Sequence, residues 1–242
     1  MYQDNFYLKK ESNAFFTRWK NDNSHLIIDP KKKFLRDSKK EILKLIAKKS
    51  TLKNKNVLEV GCFIGDLLFT LRKKYKCKVH GIEPSSKATN FAKNFFNLKL
   101  ENSTLLQSNL FKLESKNFQK YDLIICDDVL SWFDRSSILP ALGALDWMLK
   151  SNGEIFLRDF SPPECFAYEN HHWPKKKIYN FKQKNGHKNF FLNTGKYIEK
   201  YSKTYFTKKF QKIKIKKRSS SVWSDTILKK VKGFTHPIKK IY

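Results

Sequence analysis

Between Lys32 and Asp159, short apolar runs alternate with stretches of helical spacing, and this alternation restricts the fold more than any other property of the chain. Phe34, Leu35, Ile42, Leu43, Leu45, Ile46 and Ala47 place a helix within 32–49. Lys55–Val60 reads as a strand, Asp66–Tyr75 as a helix, and Lys78–Glu83 as a second strand stopped by Pro84. Ser85–Asn97 is helical with a serine cap, and Leu105–Gln107 is a short third strand. Tyr121–Cys126 is a fourth strand, apolar enough to be covered on both faces. Ser136–Leu149 is a helix closed by Asn152-Gly153, and Glu154–Asp159 is a fifth strand. The pattern predicts an α/β fold, a mostly parallel sheet with helices on both faces and right-handed crossovers.

The pattern stops at Phe160. Ser161-Pro162-Pro163 breaks the chain, 160–195 reads as a loop insertion, and Tyr197–Thr207 with Val222–Lys230 predicts a late antiparallel strand pair. Residues 1–31 form a separate aromatic segment in which Phe15, Phe16 and Trp19 surround Arg18, a candidate lid. Residues 32–242 are expected to be one domain.

No run approaches the roughly 18 to 20 apolar residues that span a bilayer, and the N-terminus lacks signal-peptide features, so a cytoplasmic protein is expected. Cys62, Cys77, Cys126 and Cys165 form no C-x-x-C pair and read as reduced, buried thiols. The formal charge is +28, carried mostly by lysine, with arginine only at 18, 36, 72, 135, 158 and 218. Such a surface attracts phosphorylated substrates, nucleic acid or anionic membrane faces. Scarce arginine, the better bidentate reader of bases, disfavours nucleic acid as the partner.

The stretch "NVLEVGCFIGDLLFTL", 56–71, is a strand, a two-glycine loop and a helix. Gly61 and Gly65 let the backbone approach a ligand, and Glu83, at the end of the next strand, can accept hydrogen bonds from both hydroxyls of a ribose. A dinucleotide would meet Phe63 where a middle glycine is wanted, and Asp66 would repel its phosphates. A donor carrying a sulfonium cation suits the acid at Glu59 better.

With "VLEVGCFIG", "HGIEPS", "SNLFKL", "YDLIICDDVLSWFDR" and "LKSNGEIFLRDF" the sequence resembles the class I S-adenosylmethionine-dependent methyltransferases over roughly residues 40–160. The family usually shows E-x-G-x-G-x-G, and Phe63 replaces the central glycine. The resemblance implies the Rossmann-like methyltransferase fold, S-adenosyl-L-methionine as cofactor, and Glu59, Gly61, Cys62, Phe63, Gly65, Glu83, Pro84, Asn109, Leu110 and Asp127 around the donor. "FFTRW", "DFSPP", "ENHHWPKKKIYNFKQ" and "FFLNTGKYIEKYSKTYF" resemble a bacterial methyltransferase subgroup associated with surface-polysaccharide clusters, implying a small-molecule or glycan acceptor, phosphorylated ones included.

Methyl transfer to an alcohol needs a base. His171 and His172 are the first candidates because histidine takes a proton near neutral pH, and Asp128 and Asp159 are secondary. "SPPE", 161–164, follows the fifth strand rather than the fourth and ends in Glu164, so base methylation at nitrogen is disfavoured. Nothing fixes a geometry of Asp127, Asp128 and Asp159 around a divalent ion, and no metal is expected. The expected activity is methylation of a hydroxyl on a sugar, sugar nucleotide or related metabolite. The alternatives are an RNA or protein methyltransferase using the basic surface, and a non-catalytic donor-binding or scaffold protein.

Overall fold

A computed structural model describes residues 5–6, 10–27, 33–109, 118–170, 173, 177–206 and 222–236. Strands β1 (Asn56–Val60), β2 (Lys78–Glu83), β3 (Glu101–Asn102), β4 (Tyr121–Asp127) and β5 (Leu149–Phe160) pair in parallel, in the order β3-β2-β1-β4-β5. The reversal of strand order at β1 and β4 makes the crevice where ligands bind in open α/β sheets. Helices α1 (Ser12–Asp22), α2 (Asp37–Lys49), α3 (Asp66–Tyr75), α4 (Ser86–Phe96) and α5 (Ile138–Met148) accompany them.

Alternation along the strands sorts the core into two layers. Val57, Leu123, Ile125 and Phe156 pack with Ile42, Ile46, Leu67 and Leu71 of α2 and α3. Leu58, Ile124, Ile155 and Leu157 pack with Ala141, Leu145 and Met148 of α5 on the other face. The late strands exist as predicted, β8 (Tyr197–Phe206) and β9 (Val222–Lys230), and they are antiparallel to one another. β9 also pairs antiparallel with β5, so the last strand among the described residues lies inside the sheet and β8 forms its edge.

Four details differ from the sequence reading. Leu105–Gln107 is a 3₁₀ turn, and the third strand is the two-residue β3 just before it; Leu105 is buried against the core while its neighbours are not, which a strand pairing would not require. Asn152-Gly153 does not close α5. The helix ends at Met148, and 150–153 bulge out between the Tyr121–Leu149 and Leu123–Glu154 pairs, with Asn152 at φ 67°. The 160–195 segment is more ordered than a loop: β6 (Phe166–Glu169) and β7 (Tyr179–Lys182) form a separate hairpin, followed by the short helix α6 (Lys188–Leu192). Finally, Cys62, Cys77 and Cys126 are buried but Cys165 is exposed, because it stands in the bend ahead of β6. No helix among the described residues is long and apolar enough to cross a membrane.

Candidate active site

The loop leaving β1 is built on left-handed backbone. Gly61 has φ +67° and approaches Val129 so closely that a Cβ there would lie 2.9 Å from Val129 Cγ2. Gly65, at φ +73°, opens α3. Phe63 holds φ 53°, a conformation that costs an L-residue about 1 kcal/mol. Two contacts offset that cost. The Phe63 amide donates to Glu83 Oε2 at 2.8 Å. Its ring enters an aromatic cluster with Phe15, Phe16 and Trp19, at centroid distances of 5.3, 5.9 and 5.2 Å, with the Arg36 guanidinium 4.8 Å away. The side chain at the glycine position thus anchors the N-terminal helix α1. Asn13 adds a polar tie, its Oδ1 accepting from Ser85 Oγ at 2.9 Å and from the Lys87 amide at 3.1 Å. Phe63→Gly removes the anchor, and amide exchange in 12–22, read by mass spectrometry, should accelerate by roughly 100-fold on the usual cost of deleting a buried phenyl ring. Unchanged exchange there would remove the anchoring role.

A cavity of about 860 Å³ opens beyond the carboxyl ends of β1, β2, β4 and β5, in the size range of small-molecule sites. Gly61, Phe63, Glu83 and Pro84 line it on the donor-loop side, and Asp127 and Asp128 line it from the end of β4. Glu11, Ser12, Phe15, Trp19 and Asn23 make α1 and the residues flanking it one wall, in the place proposed for a lid. Glu83 is 5% exposed. Burial pushes its carboxyl up to about 7, against the pull of the Ser85 and Phe63 amides that donate to its two oxygens at 2.8 Å each.

Glu59 lies beneath the floor rather than on it. Lys39 of α2 reaches the cavity and bridges Glu59 Oε1 at 2.6 Å and Asp127 Oδ2 at 2.9 Å. Burial pulls the Lys39 pKa down, but the Asp127 and Glu59 carboxylates outweigh it and hold the ammonium charged. Asp66 is likewise engaged: the Arg36 Nε and Nη2 grip its two oxygens at 2.9 and 2.8 Å, so its charge is neutralised locally rather than left to repel a phosphate. Cys62 and Gly65 shape the loop from the core side and do not line the cavity. Asn109 is exposed and does not line the cavity, whereas Ser103, Thr104 and Leu105 do. Leu110, His171 and His172 lie outside the described residues.

On the far side, the residues after β4 meet the β6–β7 hairpin. Asp128 sits at φ 52°, and burial raises its carboxyl pKa, with Lys182 opposing and Asp127 and Asp159 reinforcing the rise. Tyr168 and Asn180 line the cavity beside it, joined by a 2.9 Å hydrogen bond from Asn180 Nδ2 to the phenol oxygen. Asp159 is not on the cavity wall; its Oδ2 accepts from the His187 amide and contacts His187 Nδ1. Lys39, Lys182 and His187 went unnoticed in the sequence. His187 follows Asn185-Gly186, a turn signal, but nothing local marks either lysine.

A profile of the methyltransferase-domain family matches residues 51–216. The chain belongs to this family. The match covers the donor loop, β2, β4, β5 and the hairpin, while α1, the start of α2 and β9 add walls of this class I methyltransferase's cavity from outside it. Among solved structures, the methyltransferase resembles the 1,6-didemethyltoxoflavin-N1-methyltransferase of Burkholderia thailandensis, which holds 1,6-didemethyltoxoflavin and S-adenosylhomocysteine, at 12% identity and TM-score 0.59 over 90% of this chain and 87% of that one. The N-methyltransferase NodS of Bradyrhizobium japonicum, in complex with S-adenosylhomocysteine, aligns at 15% identity and TM-score 0.56 over 90% and 98% of the two chains. Coclaurine N-methyltransferase, bound to N-methylheliamine and S-adenosylhomocysteine, aligns at 15% identity and TM-score 0.58 over 82% and 74%. No curated protein sequence matches the methyltransferase.

Proposed function

We propose that the chain transfers the methyl group of S-adenosylmethionine to a hydroxyl of a sugar, sugar nucleotide or related small metabolite. The observation that carries this reading is the placement of two carboxylates, Glu83 and Asp128, on opposite sides of one cavity. Glu83 suits the two ribose hydroxyls of the donor, and Lys39 with Asp127 offers an ammonium and a carboxylate to its amino-acid end. Ser12 Oγ and Thr104 Oγ1, on residues that line the cavity, are buried without a hydrogen-bond partner among the described residues, which suits a polar ligand. The residues present therefore fit the donor. When bound it supplies an electrophilic methyl on a sulfonium.

Asp128 then serves as the base. With the donor bound, an acceptor hydroxyl would take its methyl, the methyl–sulfur bond's electron pair would remain on the departing thioether, and the Asp128 carboxylate would accept the hydroxyl proton. Trp132, Phe133, Phe160 and Tyr168 line the same cavity, excluding water and offering faces on which a sugar ring can stack. An amine acceptor is the second reading; the acids Asp127, Asp128 and Glu83 favour a cation, and the toxoflavin and NodS proteins are N-methyltransferases.

Incubation with methyl-tritiated S-adenosylmethionine and parallel panels of sugars, sugar nucleotides and amines tests the choice. Label entering a hydroxyl acceptor supports the first reading, and label entering amines alone overturns it. On the labelled acceptor, Asp128→Asn should lower turnover by about 100-fold or more while S-adenosylhomocysteine binds within about threefold of wild type. Turnover should rise with pH as Asp128 loses its proton. Full turnover in the variant would remove Asp128 as the base.

A further inference from the structure

Lys182 is an unusual residue for so basic a chain. It is 1% exposed, at the end of β7, where exposure alternates so that Asn180 and Lys182 share the buried face while Tyr179 is exposed. Its ammonium lies 3.2 Å from the centroid of the Phe160 ring and 5.5 Å from that of Tyr168. An aromatic face alone does not replace lost hydration, and a buried cation requires an anion or a hydrogen-bonded route to one.

The route runs through Ser131. Lys182 Nζ donates to Ser131 Oγ at 3.0 Å, and Ser131 Oγ donates to Asp128 Oδ1 at 3.5 Å. Ser131 is fully buried in the 3₁₀ turn Leu130–Trp132, which packs on β7. Asp159, the other carboxylate acting on Lys182 and the weaker influence of the two, accepts from His187 through Oδ2, while its Oδ1 has no hydrogen-bond partner among the described residues. Asp128 is the carboxylate that hydrogen bonds join to Lys182, and Asp128 lines the cavity where Lys182 does not. Asn180 Oδ1, on a residue 2% exposed that lines the same wall, has no hydrogen-bond partner among the described residues and marks that wall as built for a polar ligand.

We propose that Lys182, acting through Ser131, is the positioning residue that holds the Asp128 carboxylate on the cavity wall and competent to take the acceptor's proton. The proposal rests on the methyltransferase reading of the cavity. The other groups acting on Asp128 are Asp127 from its own strand and Asp159 from β5, both raising its pKa. Tyr168 of β6 faces it with a phenol that its charge pushes up further, after burial. Lys39 bears on it through Asp127, and His187 through Asp159. Lys182 is thus the cation that most directly favours ionisation, while burial in turn lowers the lysine's own pKa.

The test needs no acceptor. In protein carrying ¹³C at the aspartate carboxyls, pH titration by NMR reads each carboxyl's midpoint, and Asp128→Asn identifies the signal it removes. Lys182→Met should move the Asp128 midpoint up by about one unit or more, or keep the carboxyl protonated throughout. Ser131→Ala keeps the ammonium and cuts the bridge, and should move the midpoint the same way by less; it serves as the deciding variant if Lys182→Met does not fold. A midpoint that stays or falls overturns the proposal. Titration of the wild type with S-adenosylhomocysteine separates the two failures: donor binding with an unmoved midpoint removes the role of Lys182 alone, whereas a moved midpoint without donor binding removes the methyltransferase reading.

Discussion

Glu83→Ala should bind S-adenosylhomocysteine about 100-fold more weakly than wild type, on two lost charge-assisted hydrogen bonds of about 1.5 kcal/mol each. The fold should survive because two effects oppose one another. The Phe63 and Ser85 amides lose their acceptor, which costs stability, but a carboxyl that burial holds near 7 is also removed. The raised pKa adds a signature. Glu83 in the folded protein is harder to ionise than in the unfolded chain, so its contribution to stability is greatest below pH 4.5 and is lost as pH rises through about 7. Donor binding runs the other way, because the ionised carboxylate is the stronger acceptor. Calorimetry should therefore show tighter binding at pH 8 than at pH 6 in the wild type and a flat profile in Glu83→Ala. Affinity within threefold of wild type, or an undiminished pH profile, would take the ribose role from Glu83.

The largest loss of stability is expected at Lys39. Its ammonium lies within 2.6 Å of Glu59 and 2.9 Å of Asp127, and the Lys39 and Glu59 side chains are 4% and 0% exposed. Lys39→Met leaves the two acids beside one another without their cation, a change that costs about 3–5 kcal/mol and lowers Tm by roughly 10 °C for a chain of this size. The orphaned carboxylates then take up protons more readily than in the unfolded chain. Their raised pKa values make the variant relatively more stable in acid, and the deficit should grow as pH rises from 5 to 8. A melt at each pH measures both quantities. A deficit under 1 kcal/mol, or one that shrinks toward pH 8, would mean that the triad contributes little.

What the sequence disclosed depended on how local each signal was. The runs 57–60 and 121–126 are apolar apart from one acid each, Glu59 and Asp122, and burial on both faces of a sheet calls for such runs, so β1 and β4 were legible. β3 has two residues and an exposed, polar composition, leaving no periodicity to read. Asn152-Gly153 is a sound turn signal, but the turn it makes is a bulge within β5, a choice decided by pairing to β4 far away in sequence. The loop residues after β1 and β2 that line the cavity, Gly61, Phe63, Glu83 and Pro84, were readable because they follow the ends of legible strands. Lys39 and Lys182 were not, because among 50 lysines and arginines nothing local sets them apart. Their partners stand 20 and 51 positions away, so only the folded chain distinguishes them.

The internal position of β9 bears on how the chain is made. Arg158, on the cavity wall, is gripped at 2.7 and 2.8 Å by Asp225, and Trp223 of the same strand lines the cavity. During synthesis the ribosome releases the first five strands long before Val222 emerges, yet β5 cannot gain its second neighbour, nor β8 any neighbour, until β9 arrives. A nascent chain cut short before that point carries an open sheet edge and an unfinished cavity. A finished cavity and protection from edge-to-edge aggregation are therefore acquired together, when β9 takes its place between β5 and β8.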